Sequence, residues 1–192
     1  VLNNIDKVLH QTNTPRGDIF KLFNFITYPH YADILQKGIG ERFSHVPAST
    51  TVTGGMGFPQ LLVETEAYGV RGSAAEYLNS ANNAFSTPGG TQSVKVGNLL
   101  FTSGIVANDW NGDIVGKGDV RAQITQIFTN MREILALANA ELKDMLMIHM
   151  FVTSPAYIPL WLEVRDWHWE RYLGTTPPPA SSTVAVSSLP SA

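Results

Sequence analysis

The sequence predicts a fold of mixed helices and strands in which one small domain occurs twice. Three observations predict it. The hexapeptides PASTTV (47–52) and PASSTV (179–184) are nearly identical. Residues 1–31 fall on 127–157 without a gap, matching Asn4 to Asn130, Leu9 to Leu135, Asp18 to Asp144, Phe25 to Phe151 and Tyr31 to Tyr157. Within each copy the apolar spacing switches between the period of a strand and that of a helix. A six-residue insertion in the second copy then moves the offset from 126 to 132. Solenoid repeats run roughly 20–50 residues, so this period describes a duplicated domain and not a solenoid.

The second copy shows the element order most clearly. Gln92–Val96 and Leu99–Ser103 are short apolar runs around Gly97-Asn98, a hairpin signal. Asn111-Gly112 marks a further tight turn. From Arg121 onward, Ile124, Ile127, Phe128, Met131, Ile134, Leu135 and Ala138 follow helical spacing. Asp144–Thr153 is an apolar strand. Ser154-Pro155 breaks the chain before a helix over Ile158–Tyr172, which Pro177-Pro178-Pro179 ends. Ser182–Val186 is another strand. In the first copy, Val1–His10 is a helix, Asp18–Thr27 a strand and Tyr31–Phe43 a second helix. Thr50–Thr53 and Leu61–Val70 are strands.

Residues 73–88, SAAEYLNSANNAFSTP, are small and polar and mark a linker between copies at 1–72 and 89–192. Combining the copies gives one unit: strand, strand, helix, strand, helix, strand, strand. Neither copy holds all of it. The first lacks the opening hairpin and the second lacks the last strand, as expected of an internal fragment of a longer tandem protein or of a sequence whose ends are not included.

Composition narrows the function classes. Apolar residues make up 44% and charged residues 15%, which fits a core plus a surface partly covered in an oligomer. The net charge of −3 and the absence of a basic stripe argue against nucleic-acid binding. With no cysteine, disulfides, thiol catalysis and zinc–thiolate sites are excluded. No apolar run approaches the ~20 residues of a membrane span. No signal pattern opens the sequence, and a cytoplasmic location is expected.

The assembled unit resembles the Rid family (YjgF, or L-PSP endoribonuclease-like). The resemblance rests on GNLLFTSGIV at 97–106, the helix after it, the strand with Asp144, the PAS(S/T)TV segments and LLVETEAYGV at 61–70. It implies an α+β fold like that of bacterial trimeric chorismate mutase. It further implies a homo-oligomer in which the sheets of three domains line a barrel with helices outside and ligand clefts between domains. Many members hydrolyse reactive imines and enamines to ketones and ammonia without a cofactor.

Carried over position by position, the resemblance assigns the site residues. The family's glutamate in the last strand falls on Glu64, the expected catalytic residue. The serine of the TSG segment falls on Ser103, beside Gly104, and both are expected to bind ligand. The arginine that clamps a substrate carboxylate is replaced by Ser49 in one copy and Ser181 in the other. A hydroxyl cannot reproduce that charged bidentate fork. The family's lead-in tyrosine falls on Gly90. A deaminase or hydrolase acting on a small imine, enamine or related C–N metabolite is therefore expected, in place of a standard 2-iminopropionate deaminase. The alternative is a non-catalytic ligand-binding or oligomerisation module.

Each candidate has a structural counterpart. Glu64 and Glu66 share one face of a strand, which could be a solvated sheet face. Ser103 could simply end its strand. Ser49 and Ser181 could donate to a neutral ligand or mark a lost site. His149, opposite Phe23 of the other copy, reads as a core or barrel histidine. Trp161 and Trp169 share a helix face suited to packing. No two histidines have i, i+4 metal spacing and there is no HExxH, so no metal is expected.

Overall fold

The computed structural model describes residues 1–81 and 90–189. Helix α1 (Leu2–Gln11) and a 3-10 turn (Arg16–Asp18) lead into strand β1 (Ile19–Ile26). Helix α2 (Tyr31–Arg42), strand β2 (Ala48–Thr53) and strand β3 (Val63–Gly69) follow. Strand β1 is central, parallel to β2 and antiparallel to β3. Leu22 and Ile26 of β1 alternate onto one face, where they bury against Leu2 and Leu9 of α1 and Leu35 and Ile39 of α2. Phe23 and Phe25 take the other face.

Next come β4 (Ala75–Leu78), β5 (Ser93–Val96) and β6 (Leu99–Thr102), an antiparallel sheet in that order. Gly97 makes the predicted two-residue turn at φ 58°, a conformation glycine adopts without Cβ strain. Within the stretch read as a linker, Ala75–Leu78 is thus a strand, while residues 82–89 lie outside the described residues. Ala75 and Tyr77 pack with Val94 and Phe101 against Phe20 and Ala48 of the first copy. Burial of alternate side chains explains why so polar a stretch is extended.

Helix α3 (Val120–Ala136) starts where the Asp119 carboxylate accepts from the Ala122 N–H at 3.0 Å, satisfying an otherwise orphan donor. Strand β7 (Met147–Val152), helix α4 (Ile158–Tyr172) and strand β8 (Ala180–Ala185) complete the chain. Phe128 of α3 and Trp161 of α4 are fully buried, with Trp169, Leu142 and Ile148 around them. Trp161 and Trp169 therefore pack the core, whereas Trp167 is 52% exposed.

The two repeated sequence segments agree in their pairing and turns. β1 and β2 pair Lys21 with Ala48 and Leu22 with Ser49; β7 and β8 pair Met147 with Ala180 and Ile148 with Ser181. Asn13 and Asn139, the matching residues after α1 and α3, are the two non-glycine residues at positive φ among the described residues, 49° and 57°. Phe23 lies 5.6 Å from Phe151 and 6.3 Å from His149, ring centre to ring centre, so the faces away from the helices meet. His149 is exposed and its Nδ1 sits 2.6 Å from Ser182 Oγ, which makes it a sheet-face histidine and not a core one. The described strands form three sheets and no closed barrel.

Candidate functional site

The β5–β6 hairpin is seated on the β2–β1–β3 sheet, and the seam between them collects most of the expected site residues. The exit from β6 runs beside the start of β2. The Ser49 N–H donates to Ser103 Oγ at 2.7 Å, and the Gly104 N–H donates to the Ser49 carbonyl at 3.1 Å. Ser103 Oγ donates in turn to the Thr91 carbonyl. The TSG serine of one copy thus meets the PAST segment of the other at the position where an arginine is replaced. A Cβ at Gly104 would make ordinary contact with Thr50 Cγ2 at 3.5 Å, so the approach does not require glycine.

Below the seam, fully buried Asn24 of β1 links three strands. Its Nδ2 donates to Ser49 Oγ at 3.0 Å, and its Oδ1 accepts from Thr65 Oγ1 of β3 at 3.0 Å. A buried amide is tolerated because its groups are satisfied. Ser49 Oγ accepts from Asn24, so its own hydroxyl proton can still be given to a ligand. Ser103 is more committed, since it both donates and accepts within the seam.

Glu64 lies elsewhere on this sheet. On β3 it pairs with Phe25, while Thr65 reaches Asn24, so alternation puts Glu64 on the face opposite the Ser49 hydroxyl. It is exposed and has no hydrogen bond or ion pair among the described residues. Glu66, on the same face, accepts from Tyr68 OH at 2.7 Å, and this bond is the main cause of the raised Tyr68 pKa. Ser181 is exposed on β8, without a hairpin over it. The structure therefore brings Ser49, Ser103 and Gly104 together and leaves Glu64 and Ser181 apart from them.

One residue of the seam was not foreseen. Lys21 of β1 sends Nζ to Thr50 Oγ1 at 2.6 Å and to the Thr102 carbonyl at 2.7 Å. No carboxylate is within ion-pair distance of it among the described residues. Burial lowers its pKa from 10.5 to about 7. The sequence signal was a lone lysine inside the apolar strand IFKLFNFI. Among the described residues no cluster of three or more His, Asp or Glu side chains could hold a metal ion.

Residues 82–192 match the family model described as Endoribonuclease L-PSP. A RutC family protein of Sulfurisphaera tokodaii is 32% identical over 100 residues, 52% of this chain and 76% of the relative. A 2-iminobutanoate/2-iminopropanoate deaminase of Dermatophagoides farinae is 28% identical over 100 residues, 52% of this chain and 74% of that protein. Among solved structures, a putative endoribonuclease from Thermotoga maritima superposes with a TM-score of 0.52 at 30% identity, covering 60% of this chain and 87% of that one. Yeast Mmf1 matches with a TM-score of 0.55 at 23% identity, covering 61% and 89%, and supports the fold alone.

Proposed function

The chain belongs to the endoribonuclease L-PSP family, the Rid or YjgF family, and from that premise we propose that it is a deaminase of small imines or enamines. One observation carries the proposal. The TSG and PAST segments, which come from different copies, meet through the Ser49–Ser103 and Gly104–Ser49 hydrogen bonds. That juxtaposition supports a composite site at the seam, of the kind the family resemblance implies between domains. Relatives named as deaminases support the reaction class.

The replaced arginine sets the substrate range. Ser49 offers one hydroxyl donor, so the preferred substrate carries a neutral polar group where 2-iminopropionate carries its carboxylate. Losing a charge-assisted bidentate contact typically costs on the order of several kcal/mol, a rate loss of roughly hundreds-fold or more. Ammonia release from a panel of imines, enamines and cyclic amides tests this. Neutral imines should turn over, with 2-iminopropionate slow or undetectable. Robust turnover of 2-iminopropionate would refute the substrate assignment, and no ammonia from any member would refute the activity.

Glu64 takes the role of positioning water in this proposal, reached by a substrate or neighbouring domain lying across the barrel face. Glu64→Gln is nearly isosteric and should remove turnover while leaving assembly intact. A second reading is favoured by a specific observation: the Ser103 hydroxyl is engaged at both ends and Glu64 has no partner. In that reading the seam is a packing interface and the chain a ligand-binding or oligomerisation module. Unchanged turnover in Glu64→Gln would remove the glutamate from the mechanism.

A further inference from the structure

Lys21 stands apart from the other lysines of the chain. Lys7, Lys37, Lys117 and Lys143 are exposed and Lys95 is half-buried with no hydrogen bond among the described residues, whereas half-buried Lys21 has its amine held by two hydrogen bonds under the β5–β6 hairpin. Its two hydrogen bonds, to Thr50 Oγ1 and the Thr102 carbonyl, match the two N–H donors of a neutral amine. A third N–H on an ammonium would find no acceptor among the described residues, and the charge would have no counter-ion. A neutral amine held this way keeps its nitrogen lone pair pointing away from both acceptors. Thr50 follows Ser49 and Thr102 precedes Ser103, so the amine lies at the same seam, on the sheet face that carries Phe23 and Glu64 and opposite the Ser49 hydroxyl.

We propose that Lys21 Nζ is a nucleophile that takes small carbonyl or imine compounds as a Schiff base at the seam. This rests on the imine deaminase reading for its biological substrate. The Nζ lone pair attacks the substrate C=N carbon, and the π pair moves to the imine nitrogen, which takes up the proton that Nζ loses. The remaining Nζ proton passes to the amino group, and collapse of the aminal breaks the bond to that nitrogen, releases ammonia and leaves a C=N bond to Lys21. Water then adds to the same carbon, the ketone departs and the amine is regenerated. The net change is imine plus water to ketone plus ammonia, with no oxidant or reductant.

The environment supports a neutral amine at work near neutral pH. Burial brings its pKa to about 7, and desolvated lysines of this kind are the usual Schiff-base formers. The ionisable groups on neighbouring strands are Glu64, Glu66 and Tyr68 of β3, the last two hydrogen-bonded to each other, Lys95 of β5, and Glu76 and Tyr77 of β4 beyond it. None forms an ion pair with Lys21. Strand β2 and strand β6 contribute no ionisable side chain.

The test is reductive trapping on the whole chain. The protein is incubated with pyruvate, and separately with butanone, in the presence of cyanoborohydride, and adducts are mapped by peptide mass. Lys21 should be labelled at neutral pH about a hundredfold faster than Lys7, Lys37, Lys95, Lys117 or Lys143, because a far larger fraction of it is neutral. Its labelling should rise with pH to a plateau, half-complete near pH 7. Even labelling of all lysines, or none on Lys21 with either probe, overturns the proposal. Lys21→Met, checked for native circular dichroism, should lose the adduct, and the wild-type map decides if that variant fails to fold. Trapping without ammonia release from any imine would support the nucleophile and overturn only the deaminase reading. Turnover that survives in Lys21→Met without trapping in the wild type would do the reverse.

Discussion

At the scale of single residues, two bases whose pKa values are lowered by desolvation link stability to pH. Lys21 has a pKa of about 7 folded and 10.5 unfolded. Above the unfolded value the amine is neutral in both states and burial costs nothing through ionisation. As pH falls from 10.5 toward 7, the unfolded chain gains a proton that the folded chain refuses, so stability falls. Below 7 the penalty is constant, on the order of 5 kcal/mol. Stability should therefore rise by about 2 kcal/mol between pH ~7 and ~9, and Lys21→Met should lose that slope and be the more stable protein at pH ~7. Denaturant titrations at several pH values decide it, and equal slopes would show that Lys21 is solvated. His168 behaves alike at lower pH. It is buried, stacked 3.9 Å from Phe128, and its pKa is lowered from 6.5 to about 4 by burial and by Arg132 and Arg171. Its contribution is present above 6.5 and lost as pH falls toward 4, roughly 3 kcal/mol in all. His168→Phe should remove that acid sensitivity in the same titrations.

At the scale of elements, the hairpin β5–β6 depends on few polar contacts with the first copy. Ser103 supplies the acceptor for the Ser49 amide and the donor for the Thr91 carbonyl. Ser103→Ala leaves a part-buried N–H without a partner, which costs about 1–3 kcal/mol. Amide exchange at Ser49 and along the hairpin should quicken, while protection of α3 and α4, which pack around Phe128 and Trp161, stays unchanged. Uniform loss of protection would mean that the seam and the helical core unfold as one unit. The elements themselves were mostly legible in the sequence, because side-chain periodicity is local. Helix α4 spans Ile158–Tyr172, between the Ser154-Pro155 break and the proline run, as expected, and β7–β8 pair in the register of β1–β2 within the matching repeat segments. What stayed hidden depends on contacts distant in sequence. Strand β4 exists because Tyr77 and Ala75 find Val94 and Phe101. Lys21 is covered by a carbonyl 81 residues away, and Ser49 meets Ser103 across 54 residues. Neither pairing leaves a local pattern.

At the scale of the whole molecule, the sheet faces turned from the helices call for further partners. Phe23 and Phe151 touch across them, yet Val184 remains 47% exposed, and at the start of β7 Met147 is 61% exposed. Val184 pairs with Phe151 in the sheet, so both side chains lie on the face where Phe23 meets β7. Strand β1 is paired on both edges, whereas β7 is paired with β8 alone among the described residues. Two sheets are thus turned toward each other in one chain with apolar side chains left exposed between and beside them, and we predict that another chain covers the remainder. The self-complementary use of an apolar face fits closed symmetric association. In solution at micromolar concentration the protein should have a mass that is a multiple of 21.0 kDa by light scattering. Val184→Asp places a charge on the half-exposed apolar face, where an interface would bury it without a partner. It should shift the protein to monomer with its circular dichroism preserved, because Val184 contributes little to the interior of a single chain. A wild type that is monomeric throughout would show that two domains cover their own sheet faces well enough. The composite cleft would then have to work within one chain, and Glu64, on the uncovered face, would lose its route to a substrate bound at Ser49 and Ser103.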